Sequence, residues 1–226
     1  MYNIFKLIIL LSLVSCSLKT TEKDLNYGTQ KNITDEYGNQ ILQTYFNKED
    51  FKNEIAYSLY CKSLRKSQNG NVISAISIMK EVLKIDAKNK MVLNDLGALY
   101  NQNKMLDSAK FYTQLSLEID STNVCALSNY GIYLYSENQD SLAIKYFDKA
   151  IKYDSTNSVS YMHKALAYHQ LGQLDSCCRY LEIAKNCKSY DIENYLEELI
   201  LKFCTNRNVE SEMTVNELLE SINENN

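Results

Sequence analysis

Apolar side chains return along residues 56–191 with the period of an α-helix, and the pattern they make returns again every 34 residues. In the window 90–123, Leu93, Leu96, Gly97 and Tyr100 stand at i, i+3, i+4 and i+7 and share one helix face, while Leu106, Ala109, Ser116 and Leu117 line a second helix. A shift of 34 residues, without gaps, superimposes Asp86 on Asp120 and Asp154 and Asn89 on Asn123 and Asn157, in the segments IDAKN, IDSTN and YDSTN. In the same frame Ala75, Ala109, Ala143 and Cys177 share one position, and Leu59, Leu93, Leu127 and Tyr161 another. Four helical hairpins are predicted, 56–89, 90–123, 124–157 and 158–191, within a repeat region covering 48–191. The joint inside each falls at Gly70, Lys104, Asn138 and Gly172, and the glycines and asparagine tolerate the left-handed backbone that a helix terminus often needs. Gly97 or Gly131 on a first helix, with Ala109 or Ala143 on a second, lets the two backbones approach closely.

Hairpins of this kind bury their apolar faces only against neighbours, so the ends of a stack need covering. The segment DIENYLEELILKF, 191–203, puts Ile192, Tyr195, Leu196 and Leu199 on one stripe with glutamates opposite, as a capping helix should. A capping-box start at Thr214 and Glu217 predicts a short final helix, so residues 192–226 read as capping helix and acidic tail. At the other end Lys6 precedes an apolar run, Leu7 to Val14, and small residues surround Cys16. The run is too short for the roughly 20 apolar residues of a membrane-crossing helix, and it has no polar face. It reads as a secretory signal over residues 1–15. Leu13-Val14-Ser15-Cys16 resembles the lipobox of bacterial lipoproteins. That resemblance implies lipidation, a palmitate-type anchor, on Cys16, several acyl chains being needed for firm anchoring. Ser17 after Cys16 is similar to the outer-membrane form of the signal, so the expected location is a bacterial membrane, the outer one or otherwise one facing the periplasm; other lineages sort such signals differently, and which membrane stays open. Residues 16–47 then serve as the lipidated cysteine and a polar tether.

Composition narrows the partners. A net charge of −4 supplies no cationic surface for nucleic acid. The absence of proline and tryptophan, with 18 tyrosines, points to an all-α chain rather than a turn-rich sandwich or barrel. Gly-rich phosphate loops, HExxH and G-x-S-x-G are missing, so neither an enzyme nor a cofactor is expected.

A 34-residue hairpin with Leu-Gly-x-x-Tyr on its first helix, and Ala with a large apolar residue four later on its second, resembles the tetratricopeptide repeat. Unit 124–157 matches best on its second helix (Ala143, Phe147, Ala150) and unit 90–123 on its first. Departures are plain: Ala87, Ser121, Ser155 and Ser189 replace the usual proline, Thr113 the usual aromatic, and Lys62, Ser63 and Lys66 stand for Leu, Gly and Tyr. The resemblance implies a right-handed solenoid whose first helices line a concave protein-binding groove. Its groove positions carry over onto Tyr57 and Tyr60; Asn94, Asp95 and Asn101; Asn129, Ile132 and Tyr135; and Met162, His163 and His169. The lining is uncharged but for Asp95 and lacks the lysines and arginines of carboxylate-clamping relatives, which suits an extended or helical peptide. About half of such positions are expected to pack against one another.

After Cys16 six cysteines remain, without a zinc spacing, and no metal ligand set is expected. His163 and His169, six apart, lie over a turn from each other and cannot chelate as an i, i+4 pair. Cys177 occupies the small-residue slot, and Cys187 with Cys204 is the candidate disulfide for an exported chain. The reading that results is a membrane-anchored scaffold, or adaptor, that takes envelope proteins in its groove. Its alternatives are a redox or metal site built on Cys177, Cys178, Cys187 and a histidine, and an unanchored scaffold.

Overall fold

The computed structural model describes residues 48–187 and 192–204; the signal, Cys16, the tether and the Thr214 helix lie outside them. Among the described residues every regular element is helical: a 3-10 turn (Lys48–Asp50), then α1 (Glu54–Gln68), α2 (Val72–Ile85), α3 (Lys90–Gln102), α4 (Leu106–Ile119), α5 (Val124–Ser136), α6 (Asp140–Tyr153), α7 (Ser158–Gln170), α8 (Leu174–Asn186) and α9 (Glu193–Cys204). Consecutive helices pair as α1·α2, α3·α4, α5·α6 and α7·α8. Two compact units divide between Ala87 and Lys88.

The recurring asparagines start the first helices. Asn89, Asn123 and Asn157 each accept, through the side-chain oxygen, the backbone N–H of Val92, Ala126 and Ser160, at 3.2, 3.2 and 2.8 Å. Asp120 and Asp154 shape the preceding turn by accepting from the backbone N–H and hydroxyl of Thr122 and Thr156. The ammonium of Lys90, 2.5 Å from Asp120, is the main reason that carboxyl is held at about 2. All four hairpin joints take left-handed backbone, with φ of 77° at Gly70, 61° at Lys104, 59° at Asn138 and 73° at Gly172. Lys104 does so without the freedom of glycine.

In the unit 1–87, α1 packs on α2, and the lysines and serine of α1 do not prevent it. Ser63, in the slot that Gly97 and Gly131 fill elsewhere, is fully buried and donates its hydroxyl to the Ala75 carbonyl at 2.8 Å. Phe51 covers the start of α1, its ring 5.4 Å from Tyr57 and 4.9 Å from Tyr60.

In the unit 88–226, hairpins α3·α4, α5·α6 and α7·α8 stack through α4·α5 and α6·α7, and α9 packs on α8. Close crossing demands small residues. A Cβ on Gly131 would lie 2.5 Å from Phe147, and one on Gly97 would press on the Ala109 carbonyl at 2.9 Å. Ala143, Phe147, Ala150, Tyr161 and Leu181 are fully buried.

Candidate protein-binding groove

First helices of adjacent hairpins lie side by side, α3 against α5 and α5 against α7, and the groove candidates of the unit 88–226 stand along them. Their fates divide by register. Asn94, Asn129, Ile132, Met162 and His163 are buried, as is Tyr60 in the other unit. Their polar groups tie helix to helix: Asn129 donates its side-chain amide to Asn94 Oδ1 at 3.0 Å, and beside it the Ser128 and Ser160 hydroxyls meet at 2.6 Å. These contacts hold the rungs together rather than wait for a ligand.

The half-exposed candidates are Tyr57 on α1 and Asp95, Asn101, Tyr135 and His169 in the second unit. Asn101, Tyr135 and His169 share one register position, 34 residues apart, and form a row at the C-terminal ends of the first helices. Burial pushes the Tyr135 phenol up to about 12, so it stays a neutral donor throughout the physiological range. The same register, carried one more step, reaches Phe203 on α9. Phe203 is half-exposed and its ring centre lies 4.0 Å from that of His169. Sequence reading stopped the frame at the fourth hairpin and missed this rung. Tyr195 repeats the position of Tyr161, and extending the shift of 34 would have found it.

His163 is the least accommodated polar group. It is 2% exposed, its ring centre 6.3 Å from that of Tyr135 and 6.0 Å from that of Phe147, and neither ring nitrogen finds a hydrogen-bond partner among the described residues. Burial lowers its pKa to about 4, which keeps the imidazole neutral at pH 7. His169 stands apart from it beside Phe203, so the two histidines form no joint site. Next to them Lys164, only 6% exposed, reaches Asp148 of α6 at 2.5 Å and lies 3.9 Å over the Tyr180 ring of α8. This cation, which the periodicity gave no reason to notice, joins three helices.

The cysteine pairing expected from the sequence is corrected. Cys204 bonds Cys178, not Cys187, with the two Cα atoms 5.7 Å apart. Adjacent Cys177 and Cys178 point different ways from α8: Cys178 turns toward α9, and Cys177 sinks into the small-residue slot, fully buried. Burial pushes the Cys177 thiol up to about 11, so it is no nucleophile at neutral pH. The thiols nominated for a redox or metal site are therefore not assembled as one. Among the described residues no group of three or more His, Cys, Asp or Glu side chains could hold a metal.

Against known proteins, residues 159–184 match the family model of the tetratricopeptide repeat. The fold is a tetratricopeptide-repeat fold. A thermophilic tetratricopeptide protein of Thermus thermophilus aligns at a TM-score of 0.60 and 11% identity, over 75% of this chain and 99% of that one. PilF of Pseudomonas aeruginosa aligns at 0.58 and 20% identity, over 66% and 69%. MamA of Desulfovibrio magneticus aligns at 0.55 and 16% identity, over 76% and 95%. At these identities the likeness is one of fold. No curated protein matches the sequence. Within that fold the row Asn101, Tyr135, His169 is a half-exposed aromatic and amide edge along the first helices.

Proposed function

We propose that the chain is a membrane-anchored, non-enzymatic adaptor of the bacterial cell envelope, which holds a peptide or helix of another envelope protein along its first helices. The observation that carries this reading is the half-exposed row of Asn101, Tyr135 and His169 on stacked first helices. Tyr and His supply area with a polar tip, and the Asn amide can pair with main chain. Lipidation at Cys16 would fix the body to the membrane, with residues 16–47 as tether. The Cys178–Cys204 disulfide supports an oxidising compartment and so favours the exported reading over an unanchored cytoplasmic scaffold. No helix among the described residues is long and apolar enough to cross a membrane.

Two measurements test the reading separately. Palmitate labelling of the full chain should disappear in Cys16→Ala, and a wild-type chain that takes no label contradicts the anchor. Capture of an envelope protein by the purified body should fail in Tyr135→Ala/His169→Ala, whereas undiminished capture contradicts the groove. Tyr60 is unsuitable for that test, because it is fully buried and its truncation would disturb packing instead.

A further inference from the structure

The helix α9 does more than cover an end. It stands in the register of a first helix, Tyr195 at the place of Tyr161 and Phe203 at that of His169, and extends the half-exposed row by a fourth rung. Its attachment is uneven. Ile192, just before it, and Leu196 and Leu199, in its first two turns, are buried, while Leu201 is 66% exposed and the outer glutamates face water. An ion pair between Lys185 and Glu197 at 3.2 Å is mostly exposed, and pairs of that kind contribute little. Where apolar burial runs out, the helix is held by the Phe203 ring on His169 and by the Cys204–Cys178 bond that follows immediately. A helix of 12 residues is marginal by itself in water, so α9 is helical only while docked.

We propose that the Cys178–Cys204 disulfide is a redox latch that sets whether Phe203 stands as the last rung of the groove. Its closing step is thiol–disulfide exchange: the two thiols lose two electrons and two protons to a disulfide donor such as an oxidoreductase or oxidised glutathione, which leaves as two thiols; opening is the reverse exchange, in which a dithiol reductase gives up two electrons and two protons and leaves as its own disulfide. With the latch closed, α9 is confined to α8 by a cross-link spanning 26 residues. With it open, the last turns of α9 detach far more often, and the row ends at His169. The latch itself is a property of this chain alone. Its effect on a partner rests on the groove reading above.

The test is ligand-free hydrogen exchange of the purified full chain, oxidised and after reduction by a phosphine, with alkylation and peptide mass mapping to report which thiols are free. Protection of the amides of α9 should fall about 100-fold on reduction, as expected for opening a loop of this length, while α3–α6 are unchanged. Cys204→Ser should exchange like the reduced protein under either condition. Equal α9 protection before and after confirmed reduction overturns the latch, and so do free Cys178 and Cys204 thiols in the oxidised protein. A Cys204→Ser chain whose protection is lost throughout also overturns it, since the bond would then be a requirement of the fold. If α9 responds as stated but Tyr135→Ala/His169→Ala leaves capture intact, the latch stands and the groove reading fails.

Discussion

The hairpins α1·α2 and α5·α6 reach the same close crossing by opposite means. In α5·α6 the first helix contributes nothing at the crossing, Gly131, and the second fills the space with Phe147, fully buried. In α1·α2 the first helix contributes Ser63, whose hydroxyl is satisfied by the Ala75 carbonyl, and the second uses Met79 at the equivalent place, also fully buried. The hairpin α7·α8 uses an intermediate pair of residues, Ala165 and Leu181, both fully buried. Across these three hairpins what is kept is the summed volume, not the residue type; α3·α4 departs from it, with Gly97 against a fully buried Thr113 whose hydroxyl has no hydrogen-bond partner among the described residues. Hence the first hairpin forms although it lacks the Leu-Gly-x-x-Tyr signature.

The comparison can be broken most severely on its aromatic side. Phe147→Ala should cost about 3–5 kcal/mol in urea unfolding of the purified chain, because Gly131 offers no atoms to fill the void. Acid should attack the same place through His163, which faces Phe147 and is held neutral by burial. Its pKa falls from 6.5 in the unfolded chain to about 4 in the folded one. The unfolded state therefore binds the proton first, and stability is complete above about pH 6.5 and declines as pH drops toward 4. The loss is about 3 kcal/mol at the acid end, and His163→Phe or His163→Gln should flatten that part of a stability–pH curve.

Gly131→Ala should cost about 1–3 kcal/mol, since its Cβ would press into Phe147. Adding Phe147→Leu to it rebuilds the Ala165–Leu181 combination, and the pair should then be less destabilising than the two changes summed, a coupling that a double-mutant cycle reads directly. Additive losses would show that the crossings are not interchangeable. The smallest effect is expected at the joints. Lys104→Gly removes the cost of a left-handed lysine at φ 61°, about 1–2 kcal/mol, of which the extra unfolded-state freedom of glycine takes back about 0.4–1 kcal/mol, so a small net stabilisation is expected in urea unfolding.

Much of the fold was legible because its determinants are local and periodic. The helical spacing, the small residues at the crossings, the Asn caps and the left-handed joints each depend on a few neighbours in the chain. The groove was legible only in part. A first helix borders both the groove and the next first helix, and register alone does not say which side a residue serves. Asn94, Asn129 and Met162 went to the neighbour, while Tyr135 and His169 stayed half in the open. The cross-link was misread because Cys187 looked suitable by its position at a hairpin end, whereas pairing depends on which face of α8 meets α9, and that face carries Cys178. Lys164 was invisible for a related reason: a buried cation is tolerable only when Asp148 and the Tyr180 ring converge on it, and those partners come from two other helices.

Site-specific photo-crosslinking in cells tests the central claim most directly, with a benzophenone amino acid at position 135 of the full, anchored chain and, as control, at Phe111, which is 58% exposed on α4. The account predicts one discrete adduct with an envelope protein from position 135, absent from position 111. No adduct at 135, or the same adducts from both positions, would contradict it.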